Sequence, residues 1–141
     1  MAGYSGTPLP KKLGIKDDHA VAIIDAPADF LPTLAPLPSG VALHTDFAAA
    51  DSYDIILFFT KSRADLQRRF EVLMKALRSD GGLWISWPKK ASGVATDVTE
   101  DVVRDIALAA GLVDNKVCAV DEIWSGLRLV VRLRDRPKKA K

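Results

Sequence analysis

Cysteine and histidine are scarce in this sequence: 141 residues hold one cysteine, Cys118, and two histidines, His19 and His44. A lone cysteine excludes an intrachain disulfide. Its neighbours Val117, Ala119 and Val120 mark it as a small buried side chain rather than a nucleophile. His19 sits in a polar turn with Asp17 and Asp18, and His44 has no cysteine or second histidine near it, so no metal-ligand spacing exists. Charge of one sign is also lacking: 20 basic residues face 18 acidic ones, a formal net charge of +2. No basic run is interleaved with aromatics, so nucleic acid is not an expected partner. No apolar run approaches membrane-spanning length, and the first residues lack the apolar core of a signal peptide. The expected location is cytoplasmic, without membrane contact. GxSxG, HExxH and paired-cysteine motifs are missing, and Gly3-Tyr4-Ser5-Gly6-Thr7 lacks the GK[ST] ending of a phosphate-binding loop. These absences leave no recognisable catalytic set and no expected cofactor or metal.

What is present is an ordinary globular composition, 48% hydrophobic and 27% charged, over one domain's length. The organising stretch is a strand, a helix and a strand. Ile55-Ile56-Leu57-Phe58-Phe59 is a continuous apolar run, too short for a helix and suited to a strand buried on both faces. Ser62 is a good N-cap, and Asp65 places a carboxylate at the positive end of the helix. Leu66, Phe70, Leu73, Met74 and Leu77 recur at helical spacing, predicting a helix over 65–78 that ends at Gly81-Gly82. Leu83-Trp84-Ile85-Ser86-Trp87 is the next strand, closed by Pro88.

Around this unit, 1–19 reads as an N-terminal arm, with one helical turn at Lys11-Lys12-Leu13 ending at Gly14. Residues 20–134 form a single α/β domain, and 135–141 a basic flexible tail. Ala20-Val21-Ala22-Ile23-Ile24-Asp25 is a first strand, and a short, proline-interrupted helix is expected from Pro27. Val41-Ala42-Leu43-His44 is a second strand, followed by a small-residue connector over 47–52. Thr96 or Thr99 caps a helix that presents Val102, Val103, Ile106, Ala107 and Ala110, and Gly111 ends it. Strands over 116–123 and 127–134 flank Ser125-Gly126, which reads as a hairpin turn. The alternation demands a three-layer, Rossmann-like, mostly parallel sheet with a C-terminal antiparallel hairpin.

That topology resembles a reduced class I methyltransferase-like Rossmann fold. The resemblance implies a glycine-rich turn after the first strand, where backbone approaches the cofactor. Here the turn is Asp25-Ala26-Pro27-Ala28-Asp29, without glycine, and the helix and strand that would normally precede the central unit are missing. The wording Tyr4-Ser5-Gly6-Thr7-Pro8-Leu9-Pro10-Lys11-Lys12-Leu13-Gly14 resembles the bacterial domain-of-unknown-function 3052 family. So do Asp54-Ile55-Ile56-Leu57-Phe58-Phe59-Thr60-Lys61-Ser62 and Gly82-Leu83-Trp84-Ile85-Ser86-Trp87-Pro88. That family implies no assigned activity, so it supplies no catalytic residue.

Ligands of open α/β sheets bind outside the carboxyl ends of the strands. The sequence puts Asp25, His44 and Asp46 there, with Thr60 to Arg63 after the third strand and Trp87 to Lys90 after the fourth. The expected ligand-binding set is Lys61, Ser62, Arg63, Trp87 and Lys89: cations beside a helix N-terminus, which suits a small anionic ligand, with Trp87 able to line a cleft. The expectation is a non-catalytic domain that binds a partner protein or a small anion. The alternative is a small transferase-like enzyme with an unrecognised active site at the same edge. Oligomeric state is open.

Overall fold

The computed structural model describes residues 7–46, 52–132 and 135; the first six residues, most of the 47–52 connector and the basic tail from 136 lie outside them. Six strands form one sheet: β1 (Ala20–Ile24), β2 (Ala42–His44), β3 (Tyr53–Phe59), β4 (Leu77–Pro88), β5 (Leu112–Ala119) and β6 (Trp124–Val131), in the order β2-β1-β3-β4-β6-β5. The first four are parallel neighbours, and β6 pairs antiparallel with both β4 and β5. The expected parallel strands and C-terminal antiparallel pair are all present.

The chain folds this way because its apolar runs have two destinations. On one face of the sheet, α2 (Arg63–Ala76) and α3 (Glu100–Ala109) cover Ile56, Phe58, Leu83, Ile85, Trp87, Leu127 and Leu129 with Leu66, Phe70, Leu73, Val103 and Ala107. Both helices start on a side-chain cap: Ser62 Oγ accepts from the Asp65 N–H, and Thr99 Oγ1 from the Val102 N–H. On the other face, α1 (Leu9–Leu13) and a 3-10 turn at Leu31–Leu34 cover Val21, Ile23, Ile55, Leu57, Phe59 and Trp84. Trp84 is fully buried there and donates its indole N–H to the Leu13 carbonyl at 3.0 Å, which ties the arm to the sheet. α1 ends at Gly14 in the left-handed conformation, φ 82°, as its sequence predicts.

Three local expectations are corrected. The central helix ends at Ala76, not at Gly81-Gly82, because Leu77 is already extended and enters β4. Gly81 serves close approach instead: a Cβ there would stand 2.5 Å from the Asp54 carbonyl of the neighbouring strand. Ser125-Gly126 is not the hairpin turn but part of β6, opposite Trp87 and Ser86. The turn lies at Val120 to Ile123, where the Asp121 carboxylate accepts from the Ile123 and Trp124 N–H groups, and Gly126 makes room for the Trp84 ring. No α-helix follows Pro27; prolines at 32 and 36 limit the segment to the 3-10 turn.

Candidate functional site

The sheet reverses direction of growth between β1 and β3: β2 adds on one side of β1, and β3 and β4 on the other. The carboxyl ends of β1 and β3 therefore flank the natural crevice of the fold. Residues from both faces of the sheet flank that crevice. On the α2 face, Asp25, at φ 58°, accepts from the Arg69 guanidinium, which lies 4.9 Å from the centroid of the Phe58 ring. On the α1 face, Phe30 packs edge-on against Phe59 (ring centroids 4.8 Å apart), and Phe59 packs edge-on against Trp124 at 5.1 Å. Phe30 and Phe59 are buried.

One strand over, β3 and β4 end side by side, with Phe59 opposite Ser86. This register brings Lys61, Ser62 and Arg63 to the same edge as Trp87 and Lys89. Lys61, Ser62 and Arg63 are exposed, Lys89 is half-buried, and Trp87 is buried at 7% exposure within the α2–α3 core. The start of α2 is already supplied with acceptors. Its Arg63 N–H donates to Asp97 Oδ1 at 2.7 Å, the Asp65 N–H to Ser62 Oγ at 3.1 Å, and the Leu66 N–H to the Ser62 carbonyl at 3.0 Å. Thr96 Oγ1 donates to the Lys61 carbonyl at 2.7 Å, so the loop before α3 folds over the start of α2. Thr60 is buried and satisfied: Ser62 and Asp65 accept from or approach its hydroxyl, and its N–H donates to the Ser86 carbonyl.

Sequence reasoning missed Asp97, Arg69 and the Phe30–Phe59–Trp124 stack. Asp97 lies 34 residues from its partner, and nothing local distinguishes it from the other surface carboxylates. A signal did exist for Phe30: it is the aromatic residue nearest the turn after β1. His44, at the end of β2, is exposed and stacks edge-on with Tyr53 at 5.5 Å, and Asp46 accepts a hydrogen bond from the Tyr53 hydroxyl through its carbonyl. No group of three or more potential metal ligands occurs among the described residues, and no helix among them is long and apolar enough to cross a membrane.

The fold is that of the class I methyltransferases. A SAM-dependent methyltransferase from Aquifex aeolicus is similar at TM-score 0.63 and 16% identity, over 86% of this chain and 87% of that one. The M1A22 tRNA methyltransferase TrmK of B. subtilis is similar at TM-score 0.54 and 12% identity, over 94% of this chain and 69% of its own. Magnesium protoporphyrin IX methyltransferase from Synechocystis PCC 6803, a structure with bound SAH, is similar at 0.53 and 11%, over 81% and 74%. These likenesses carry the fold and nothing finer. The chain itself belongs to the family described as Protein of unknown function (DUF3052), which matches residues 40–133. Among curated proteins, none matches the sequence.

Proposed function

We propose that this protein is a non-catalytic member of the methyltransferase fold that binds a small anion or an acidic group of a partner, rather than a methyl donor. The observation that carries the reading is what stands at the switch point: a turn without glycine, with side chains on both flanks. A cofactor approaching the end of β1 would meet Ala26 and Pro27 instead of a glycine turn, with the Asp25–Arg69 pair on one side and the Phe30–Phe59–Trp124 stack on the other. Opening that space would expose two buried phenylalanines and separate an ion pair, a cost that binding would have to offset.

Anion binding at this edge would fall to Lys61, Arg63 and Lys89, with Ser62 presenting the first turn of α2 and Trp87 backing the site from the core. Asp97 is the competitor: its carboxylate already occupies the Arg63 N–H, so an incoming anion must displace it or bind outside it. Titration calorimetry with S-adenosylmethionine tests the first half of the reading; no saturable heat is expected, and micromolar binding altered by Pro27→Gly would refute it. The second half predicts that Lys61→Ala with Lys89→Ala weakens any anion bound at this edge by about 1–3 kcal/mol, the scale of charged hydrogen bonds. Unchanged binding in that double variant would move the site elsewhere.

A further inference from the structure

A cavity of about 440 Å³ opens at the opposite, amino-terminal edge of the parallel strands, on the face that α1 covers. Leu13, Gly14 and Ile55 form its apolar wall, and four cations line it: Lys12, Lys16, Lys116 and Arg128. Two carboxylates, Asp54 and Asp80, share the lining. Asp54 is committed elsewhere: one oxygen accepts the Ala20 N–H at 2.9 Å, and the other faces Arg78 Nε at 3.4 Å. Counted with both carboxylates, the lining still holds four cations to two, in a recess of ligand size.

The sheet register makes this excess a built feature. Lys116 of β5 stands directly opposite Arg128 of β6, which in turn stands opposite Trp84 of β4. Cations directly opposite each other in an antiparallel ladder gather positive charge at one point of the lining, where an anion can accept from both. The Arg128 guanidinium lies in the space that glycine leaves at position 82, where a Cβ would stand 2.3 Å from its Nε. Lys116 is held from the other direction, its ammonium donating to the Lys12 carbonyl at 3.0 Å. His19, also in the lining, accepts the Lys16 N–H on Nδ1 at 3.1 Å.

We propose that this cavity binds a small molecule carrying two or more anionic groups, phosphates or carboxylates, between Lys16, Lys116 and Arg128. The proposal goes beyond the reading of the carboxyl edge and stands or falls separately from it. The test is titration calorimetry of the full chain with tripolyphosphate and with citrate, against sodium chloride of matched ionic strength. One saturable site is expected for at least one of the two polyanions, and which one binds separates phosphate from carboxylate ligands. Lys16→Gln and Lys116→Gln should each weaken it about tenfold, the effect of one lost charged hydrogen bond, and Gly82→Ala should weaken it by displacing Arg128. The Lys61→Ala, Lys89→Ala background removes the contribution of the carboxyl-edge anion site, and the Lys16 and Lys116 effects should persist in it. Because Lys116 also braces α1, amide shifts in the unmodified protein give an independent reading: Gly14, His19, Asn115 and Lys116 should move on titration. Saturation by neither polyanion, or shifts centred on Lys61 to Arg63, would overturn the proposal.

Discussion

The two faces of the sheet are covered by different means. One carries two capped helices of 14 and 10 residues, whose apolar sides pack along the strands. The other carries a five-residue helix and a four-residue 3-10 turn, joined to the sheet through aromatic contacts and the Trp84–Leu13 hydrogen bond. Helices bury area through periodicity, and the recess the first face leaves, about 510 Å³ between α2 and α3, is largely apolar, lined by Phe70, Met74 and Ile106. Short irregular segments bury area only where a large side chain reaches down, so the second face closes over Trp84, Phe30 and Phe59 and opens beside Lys116 and Arg128. Among the described residues, the recess beside Lys116 and Arg128 follows from the short elements of the α1 face.

Removing the anchor should break the comparison most sharply. Trp84→Ala deletes a fully buried ring and its hydrogen bond, and is expected to cost about 3–5 kcal/mol in urea denaturation. It should also expose Lys11 and Lys12 to trypsin before any site in α2, because α1 loses its tie to the sheet. Equal protection of α1 in the variant would show that the thin face does not depend on Trp84. On the helical face, Thr99→Ala removes the cap of α3 and should cost about 1 kcal/mol, leaving the trypsin pattern at α1 unchanged.

A smaller effect reads the environment of Cys118, which is half-buried on the α1 face. Burial pushes its thiol up from the ordinary range, with Lys12 and Lys116 pulling weakly the other way. The folded thiol therefore ionises at higher pH than the unfolded one. Any stability from keeping it protonated is present below the unfolded pKa and lost as pH rises through the folded pKa. Alkylation by iodoacetamide at mildly alkaline pH should be slower in the native protein than in urea, and a native rate equal to the unfolded one would mean that the α1 face leaves Cys118 open. The smallest effect is expected from deleting residues 136–141, a basic run with no apolar side to bury. The thermal midpoint should stay within about 1 °C, since removing a basic run that has no apolar side costs little. A drop of several degrees would mean that the tail docks on the domain.

Much of the fold was legible because its signals are local. Ile55 to Phe59 is short, apolar and rich in β-branched and aromatic residues, Ser62 and Thr99 cap helices through their own first turns, and Gly14 ends α1 through its own φ. The misread glycines show the limit. Gly81 and Gly126 look like punctuation in one dimension, yet each stands in a strand because a neighbour far away in sequence needs the space: the Asp54 carbonyl for one, the Trp84 ring for the other. The carboxyl edge follows the same division. Strand order alone puts Lys61 and Lys89 on one edge, whereas Asp97 at the start of α2 and the Asp25–Arg69 pair join residues 34 and 44 positions apart.

The sequence by itself determined the alternation of strands and helices, the parallel centre, the antiparallel end and the lack of a glycine turn after β1. These are set by side-chain period, capping chemistry and backbone freedom, all of which act over a few residues. Only the tertiary structure decided which carboxylate meets which N–H, which aromatic rings flank the crevice, and that Lys116 faces Arg128 across β5 and β6. Those pairings follow from the register of whole strands, and register is settled by burying every apolar face at once rather than by any local stretch.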